Sequence, residues 1–531
     1  MLLIKDIRVD PGREQDLAGI ASEALDIARS DVKEVKLIRR AVDARHRSGV
    51  KYVITLAVST ADDSTVLGTH RGGNVSEYSP TAPPVLPSVR RAPEPAPVVV
   101  GAGPAGLFAA LTLCRSGAPC ILLERGKRVE DRARDVDAMR NGGILSLQSN
   151  IQFGEGGAGT FSDGKLHTGI KSPYLFSILR ELAENGAPEE ILWNSEPHIG
   201  TDMLRTTCAG LRKKLLGLGC DIRFGHTLKD ISVGGGAVRS LLVCGPETEY
   251  ELPCRSLIMA PGQSAREVYE MLLNLGVRMH KKPFSVGVRI EHSQRQLDRE
   301  RYGRSVRMGL PHSSYKVAVH LPGGRSVYSF CVCPGGEVIA AGNEPGGVVT
   351  NGMSPYARDG DNINGALLVS VDPWDLPEHP LSGLDFRRSI EEAAYAEGGG
   401  GYMAPVQLVG DFLLGRPSTG MGSIKPTYRP GVRPGSVDAV LPAFAAQALR
   451  EALPLLAKKL SIFACEEAVM TAAETRSSSP VQLERDTDLT CTYAGLRVCG
   501  EGSGWAGGIM SSAADGIKCA VSAIKEFTDC D

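Results

Sequence analysis

The clearest chemical pattern in the sequence is a glycine-rich turn between an apolar strand and a helix. Three glycines in the spacing GxGxxG follow the apolar run Val98–Val100. The first glycine permits a tight turn, the second lets the backbone approach a pyrophosphate, and the third allows close packing of helix on strand. The helix N-terminus favours bound phosphate. The predicted dinucleotide-binding residues of this loop are Gly101, Gly103, Pro104, Ala105 and Gly106.

An acidic residue stands where a dinucleotide site uses one. Glu124 ends a second predicted strand, Cys120–Leu123, and follows Gly106 by 18 residues. A carboxylate at this place accepts a hydrogen bond from a ribose hydroxyl. Arg125 follows and is a second candidate contact, although the acid argues against a 2′-phosphate. The loop alone does not distinguish FAD from NAD.

The rest of the chain favours FAD. We find no second strand–GxGxxG–helix unit in the sequence, and a large insertion separates the segments typical of a nucleotide-binding fold. One dinucleotide domain with an inserted domain suits a resident FAD. NAD(P)H then remains a candidate transient electron donor.

Composition sets broad limits on the chain. It has 531 residues, a formal net charge of −2 and 62 glycines, many of them clustered. The length suits several domains, and the charge balance argues against nucleic acid or an anionic membrane as the main partner. The 13 cysteines form no CxxC pair or metal-type array, so we expect no metal and reduced thiols. Early charges at Lys5 and Asp6 argue against a signal peptide and predict a cytoplasmic protein without a membrane segment.

The N-terminal residues 1–78 are predicted to form a separate module. Apolar patterning predicts strands at Leu2–Val9, Val35–Val42 and Lys51–Val58, with a helix within Gly12–Arg29 and a turn near Ser48 and Gly49. This βαββ order is typical of a partial ferredoxin-like fold. Residues 79–97 carry seven prolines and are predicted to form a semi-rigid linker.

The remaining chain is predicted to hold two interleaved domains. Residues 98–282 form the first part of a Rossmann-type FAD-binding domain, residues 283–415 an inserted substrate domain, and residues 416–531 the part that completes the FAD-binding domain. The expected fold class is therefore α/β, with an inserted mixed α+β domain and a small N-terminal ferredoxin-like module.

Five long blocks resemble a known group of proteins, the FAD-dependent dehydrogenases of the glutathione-reductase-type flavoprotein fold. The resemblance extends over nearly the whole chain and is closest to a mainly bacterial subfamily. It implies the fold and FAD, and it identifies no substrate. The blocks are Ser149–Leu166, Leu257–Val268, Phe330–Ser354, Glu474–Asp486 and Gly495–Ile517.

The first block implies a loop beside the FAD pyrophosphate and the flavin. Lys165, at its end, is a candidate to hold an anionic substrate or to polarise the reduced flavin. The candidate cofactor contacts in this loop are Gly156, Gly157, Ala158, Gly159, Thr160 and Ser162.

Two further blocks imply contacts with the rest of the cofactor. Ala260 and Gly262 end a predicted strand, and Pro261 replaces the threonine usual in relatives, which removes a backbone donor. A later strand, Leu496–Cys499, precedes the last candidates. The resemblance implies that the acid among them binds the ribityl chain and that the helix start faces the flavin N1–C2=O edge. A helix dipole there favours reduction. These last candidates are Gly500, Glu501, Gly507, Gly508 and Ile509.

Two features could take part in the reaction. Arg476 is a candidate anchor for a substrate carboxylate, because guanidinium binds a carboxylate through two parallel hydrogen bonds. An intramolecular salt bridge is the alternative. Cys331 and Cys333 share one face of a predicted strand and are either structural thiols or a redox pair.

These patterns predict an FAD-dependent oxidoreductase that transfers hydride between flavin N5 and a small, anionic organic substrate. One alternative is a flavin monooxygenase that uses NAD(P)H and O2. Another is an FAD-dependent protein that acts on or docks to RNA, suggested by the basic stretch Arg29–Lys51. A third is a flavoprotein that binds its cofactor without catalysis.

Overall fold

The computed structural model describes residues 1–45, 49–70, 73–307 and 309–529. The N-terminal module contains the predicted βαββ elements, and a further helix and strand complete a βαββαβ order. Its strands pair antiparallel in the order β2-β3-β1-β4, as in ferredoxin-like sheets. Ser48, in the predicted turn, lies outside the described residues. The elements are β1 Leu2–Val9, α1 Leu17–Leu25, β2 Val32–Asp43, β3 Lys51–Thr60, α2 Asp63–Thr69 and β4 Val75–Glu77.

The next segment alternates strands and helices up to residue 281. The predicted strand, turn and helix after residue 97 are present as β5 and α3, followed by β6. The elements are β5 Val98–Val100, α3 Pro104–Arg115, β6 Ile121–Glu124, α4 Val129–Gly142, α5 Leu175–Glu184, α6 Thr201–Gly217, β7 Asp221–Phe224, β8 Thr227–Gly234, β9 Ala237–Cys244, β10 Glu249–Pro253, β11 Leu257–Met259, α7 Arg266–Asn274 and β12 Met279–Lys281.

The remainder of the chain is richer in strands before it ends in a long helix. The elements are β13 Phe284–Ser293, α8 Gln294–Tyr302, β14 Ala318–His320, β15 Ser326–Cys333, β16 Glu337–Ala340, β17 Thr350–Met353, β18 Asn362–Val371, α9 Ser382–Glu397, β19 Ala404–Leu408, α10 Val409–Leu413, β20 Val432–Pro434, α11 Ala443–Lys459, β21 Val469–Glu474, β22 Val481–Leu483, β23 Leu496–Val498 and α12 Ile509–Asp529.

A parallel sheet in the described chain brings distant sequence segments together. Its five strands run in the order β23-β11-β5-β6-β7. Helices α3 and α12 pack closely on each other, because Gly516 presents no side chain to the backbone of Ala105, whose oxygen would lie 2.0 Å from a Cβ there. All carboxyl ends of these parallel strands meet at one edge, so the loops after β5, β6, β11 and β23 converge there.

A second sheet forms the inserted domain. Within the described residues its seven strands run in the order β14-β15-β18-β13-β21-β19-β20, and α11 packs on its core. Strands β20 and β21 follow residue 415, so the expected boundary between residues 415 and 416 is wrong. The sheet continues to residue 474 because β21 pairs with both β13 and β19.

The N-terminal module and the linker both contact the part of the chain that follows residue 97. The backbone N–H of Arg40 donates to Trp193 O at 2.8 Å, and its guanidinium lies 4.5 Å from the Trp193 ring centroid. In the linker, Leu86 and Val89 pack against the core around α3. In the described parts of the chain, we find no helix with the length and apolarity needed to cross a lipid bilayer.

Candidate active site

A large cavity lies where the carboxyl edge of the parallel sheet faces the seven-stranded sheet. Its volume is about 1950 Å³, including its open mouth. The loops after β5, β6, β11 and β23 form one wall, and residues of β15, β17 and β21 form part of the opposite wall. An elongated ligand therefore has one end against glycine-rich turns and the other end against side chains of the inserted domain.

The first wall depends on glycine where the turn after β5 begins. Gly101 has φ +98°, and a Cβ on it would lie 2.3 Å from Ala260 O. A Cβ on Gly106 would lie 1.8 Å from Gly101 O. Side chains are excluded at both positions, so α3 approaches the sheet closely and its first turn points into the cavity. N–H groups in a helix's first turn lack intrahelical partners and can bind phosphate.

Glu124 ties three loops together at the cavity wall. Its carboxylate accepts hydrogen bonds from the backbone N–H groups of Ala102 at 2.8 Å, Gly126 at 2.8 Å and Gly154 at 3.0 Å. The side chain is buried and still lines the cavity, at the place where the sequence predicts a ribose contact. Arg125 also lines the cavity. It lies over the Phe153 ring and forms an ion pair with Glu267.

The predicted loop 156–162 divides into two groups of residues. Gly157, Ala158, Gly159 and Ser162 line the cavity. Gly156 and Thr160 do not, contrary to their predicted role as cofactor contacts. The reason is that Gly156 fits against Thr160 and Cys208, and the Thr160 hydroxyl donates to Glu155 O at 3.1 Å.

The shape of this loop depends on Arg132, which was not among the residues predicted from the sequence. Its guanidinium is fully buried and donates to five backbone carbonyls within the loop. Buried carbonyl groups need hydrogen-bond partners, and the arginine supplies them. Its isolated position on α4 carries no motif that would identify it. The acceptors are the carbonyls of Asn150, Ile151, Gly154, Glu155 and Gly157.

The far end of the same wall is formed by the start of α12. The Gly500 N–H donates to the Asp515 carboxylate at 2.9 Å, which fixes the turn after β23. A Cβ on Gly507 or Gly508 would meet none of the described atoms within 4 Å, so open space lies beside them. Glu501 accepts a hydrogen bond from Gln263 at 2.9 Å, and burial raises the pKa of Glu501 to about 7. Ala260, Gly262 and Ile509 line the cavity nearby.

The opposite wall carries a buried carboxyl group that the sequence did not identify. Glu474, the last residue of β21, lines the cavity and forms an ion pair with the fully buried Arg289 at 3.0 Å. Burial raises the pKa of Glu474 to about 7, although Arg289 opposes the increase. A carboxyl group with such a pKa can accept or donate a proton near neutral pH. Asn351 of β17 and the Phe330 ring lie on the same wall.

Lys165 lies at the junction of the two walls. Its ammonium group lies 3.6 Å from the Asp163 carboxylate and 3.9 Å from Cys333 Sγ, and it donates to Val332 O. Burial opposes its charge, but Cys333, Cys331 and Asp163 raise the pKa of Lys165 above its ordinary value. Lys165 therefore stays cationic at the cavity wall, as its predicted role requires.

Arg476, the predicted substrate anchor, lines the cavity but already has partners within the protein. The Arg476 Nε and Nη2 donate to the two carboxylate oxygens of Glu391 at 2.9 and 2.7 Å. Another of its nitrogens donates to Asn343, and the side chain is only 6% exposed. The guanidinium that would bind a substrate carboxylate already binds a protein carboxylate. These contacts favour the alternative, an intramolecular salt bridge, and the role of Arg476 as an anchor stays a prediction.

The cavity fits FAD, and comparisons with protein families point the same way. A model described as an FAD binding domain matches residues 96–143, and one described as FAD-dependent protein, C-terminal domain-like, matches residues 283–477. A domain of unknown function matches residues 1–59. An uncharacterized protein of Clostridium beijerinckii is 40% identical over 507 residues, which is 95% of this chain and 94% of that protein. The chain belongs to a family of FAD-dependent proteins.

Comparisons with solved structures give weaker similarity. The flavin-dependent brominase Bmp2 has 11% identity over 82% of this chain and 79% of its own, with a TM-score of 0.36. The OxyS anhydrotetracycline hydroxylase of Streptomyces rimosus has 20% identity over 55% of this chain and 47% of its own, with a TM-score of 0.26. Neither similarity is high enough to transfer a substrate.

This member of the family is an FAD-dependent oxidoreductase. In the described structure, the residues of the first wall, from the start of α3 to the start of α12, would hold FAD. Most of the sequence-predicted contacts line this one cavity. They are Gly101, Gly103, Pro104, Ala105, Glu124, Arg125, Gly157, Ala158, Gly159, Ser162, Ala260, Gly262, Gly500, Glu501, Gly507, Gly508 and Ile509.

Proposed function

We propose that this FAD-dependent oxidoreductase transfers a hydride between flavin N5 and a small, anionic organic substrate. The substrate would lie between the start of α12 and the wall formed by β15, β17 and β21. The observation that carries the proposal is that two groups line the same cavity. One is a fixed cation, Lys165, and the other is a buried carboxyl group of pKa about 7, Glu474. The order of cofactor contacts along the chain supports a glutathione-reductase-type arrangement.

FAD supplies the two-electron chemistry when it is bound, and the protein supplies charge, orientation and exclusion of water. Lys165 would attract the substrate's negative charge, since its ammonium is held at the cavity wall by Asp163 and Val332. The N-terminus of α12 would stabilise negative charge at the ring edge that faces it.

Glu474 would donate a proton to the substrate or accept one from it. Below pH 7 its carboxyl group is neutral and can donate, and above pH 7 it is a carboxylate and can accept. Arg289 holds it in place from behind the wall at 3.0 Å. In the direction of substrate oxidation, the ionised form takes up the proton as hydride leaves the substrate carbon.

Anaerobic reduction of the bound flavin tests the proposal. We expect at least one hydroxy or amino acid to bleach the flavin absorbance, and Lys165→Met to weaken its binding by roughly tenfold to a hundredfold, as loss of one charged contact does. The exposed Lys458→Met on α11 serves as the matched control.

Two outcomes would contradict this reading. One is equal reduction rates with anionic and neutral substrates. The other is NAD(P)H consumption that depends on O2 and is matched by a hydroxylated product, which would establish a monooxygenase instead.

A further inference from the structure

Two cysteines lie beside the reaction end of the cavity. Cys331 is part of the cavity wall, and Cys333 is completely buried behind it. Their strand is irregular here, since Cys331 has φ +41° and the pairing of β15 with β18 shifts register between Phe330 and Cys333. A non-glycine residue in this left-handed region is strained, and such strain clusters at functional sites.

Cations surround the two sulfurs. The Arg289 guanidinium lies 3.5 Å from Cys333 Sγ and donates to Cys331 O at 2.6 Å, and the Lys165 ammonium lies 3.9 Å from Cys333 Sγ. The nearby carboxylates of Asp163 and Glu474 are each already paired with one of these cations. Positive charge beside a thiol favours its ionised form, which is the nucleophile in thiol chemistry.

The Cys333 thiol lies against Cys331, since its Sγ donates to Cys331 O at 3.3 Å. The Cys333 side chain, Lys165 and Arg289 together hold the pKa of Cys331 well below its ordinary value. Other buried thiols behave in the opposite way, because burial raises the pKa of Cys208 to about 11 and that of Cys254 to about 12. A thiolate paired with a thiol is the arrangement from which disulfides form.

We propose that Cys331 and Cys333 are a redox-active dithiol that exchanges two electrons with FAD. In the oxidising direction the Cys333 S–H bond breaks and one S–S bond forms between its sulfur and the Cys331 thiolate. The two electrons and that one proton go to FAD, which becomes the anionic reduced cofactor, and the reverse transfer breaks the S–S bond. The proposal depends on FAD in this cavity and not on the hydride substrate proposed above.

The strain expected in a disulfide between these two residues favours a bond that forms and breaks reversibly. A bridge between residues two apart closes a small ring with unfavourable geometry, which makes the bond easier to reduce. A permanent structural disulfide would gain little there. A bond that forms and breaks with each turnover benefits from being close in energy to its reduced form.

Electron counting on the holoprotein tests the proposal. After mild oxidation with oxidised glutathione, we expect anaerobic dithionite titration to deliver four electrons per chain, two to FAD and two to the disulfide. Cys331→Ser and Cys333→Ser should each take up two electrons. Cys465→Ser, on a partly exposed thiol outside the cavity, should still take up four.

Mass spectrometry of the wild-type protein gives a second readout that needs no variant. The oxidised protein, alkylated under acid and digested, should yield a peptide with Cys331 and Cys333 that is two hydrogens lighter than its reduced form. After reduction, Cys331 should be alkylated at pH 6 at least about tenfold faster than Cys208, because burial raises the pKa of Cys208 to about 11 and that of Cys331 is lowered.

A two-electron uptake by the oxidised wild-type protein, with no linked peptide, would overturn the proposal. If that protein still transfers electrons from an organic acid to its flavin, the hydride function stands while the dithiol does not. If the dithiol is found and no organic acid reduces the flavin, the reverse holds.

Discussion

The two ends of the cavity are built in different ways. At the nucleotide end, backbone atoms form most of the wall, with glycine wherever a Cβ would collide, as at Gly101 and Gly106. At the substrate end, side chains from strands far apart in sequence form the wall. Arg289 and Glu474 pair across 185 positions of sequence. A site built from backbone turns can be predicted from the local spacing of glycines in the sequence. A site built from side chains of distant strands has no such local pattern, because those side chains meet only when the sheet has formed.

The largest effect should follow a change at the nucleotide end. Gly101→Ala places a Cβ 2.3 Å from Ala260 O in a backbone conformation of φ +98°. We expect a loss of more than about 3 kcal/mol in FAD binding, over about a hundredfold in affinity. Flavin absorbance per chain and fluorescence titration of FAD measure it.

The matched control is Gly217→Ala, at the end of α6, where a Cβ meets none of the described atoms within 4 Å. It should bind FAD like the wild type. If Gly101→Ala also binds FAD normally, the contrast between a backbone-built and a side-chain-built end is wrong.

At the substrate end, Glu474→Gln should preserve FAD and lower the rate. We expect a decrease of roughly 10²–10⁴-fold in kcat, the usual contribution of a general acid or base. In wild type, kcat/KM for substrate oxidation should rise as pH passes about 7, because Glu474 must be ionised to accept the proton. The variant should lose this limb of the pH profile.

Glu466→Gln, on an exposed position in the preceding loop, is the control and should keep both the rate and the pH profile. A full rate in Glu474→Gln would assign the proton to another group. Loss of FAD from that variant would show that the side chain supports the cofactor rather than the substrate.

Arg476→Ala distinguishes a structural residue from a substrate anchor on the same wall. It leaves the Glu391 carboxylate buried without its main partner, and its removal should cost about 3–5 kcal/mol of folding free energy. Urea denaturation measures this. Arg416→Ala, which breaks an exposed pair with Asp411, should cost less than about 1 kcal/mol.

Unchanged stability of Arg476→Ala, together with a raised KM for carboxylate substrates, would support the hypothesis that Arg476 anchors the substrate. It would require Glu391 to find another partner, such as the neighbouring Arg387.

Much of the fold follows from local sequence patterns. The β5–α3–β6 unit, the first three strands of the N-terminal module and the return strands β11 and β23 were all predicted within a few residues. The boundary at 415 was wrong because β20 and β21 join the inserted sheet through pairings with β19 and β13, which only tertiary structure establishes. Helix α2 and strand β4 of the N-terminal module were not predicted, because both are short and have few apolar positions.

The site was predictable only in part, and for the same physical reason. Glycine spacing identified the turns, but it could not separate Gly157, which lines the cavity, from Gly156, which packs against Thr160. Three buried thiols also meet without any sequence motif. Cys120 Sγ lies 3.9 Å from Cys114 Sγ and 3.7 Å from Cys220 Sγ. Such clusters depend on strand order and not on spacing.

Glu501 joins the two ends, and its titration should give the smallest effect. Its pKa is raised from 4.5 to about 7 by burial, so the folded protein keeps it neutral where the unfolded chain has ionised it. Its contribution to stability is therefore full below pH 4.5 and is lost as pH rises through 7. The apoprotein should lose about 3 kcal/mol across this window through Glu501. Glu501→Gln should remove about a third of the slope that these raised carboxyl groups produce, because burial also raises the pKa of Glu474 and of Glu155 to about 7. Glu466→Gln should leave the slope intact. An unchanged slope in Glu501→Gln, measured by urea denaturation at several pH values, would mean that water already solvates this carboxyl group, and that the nucleotide end holds its acid in an open site.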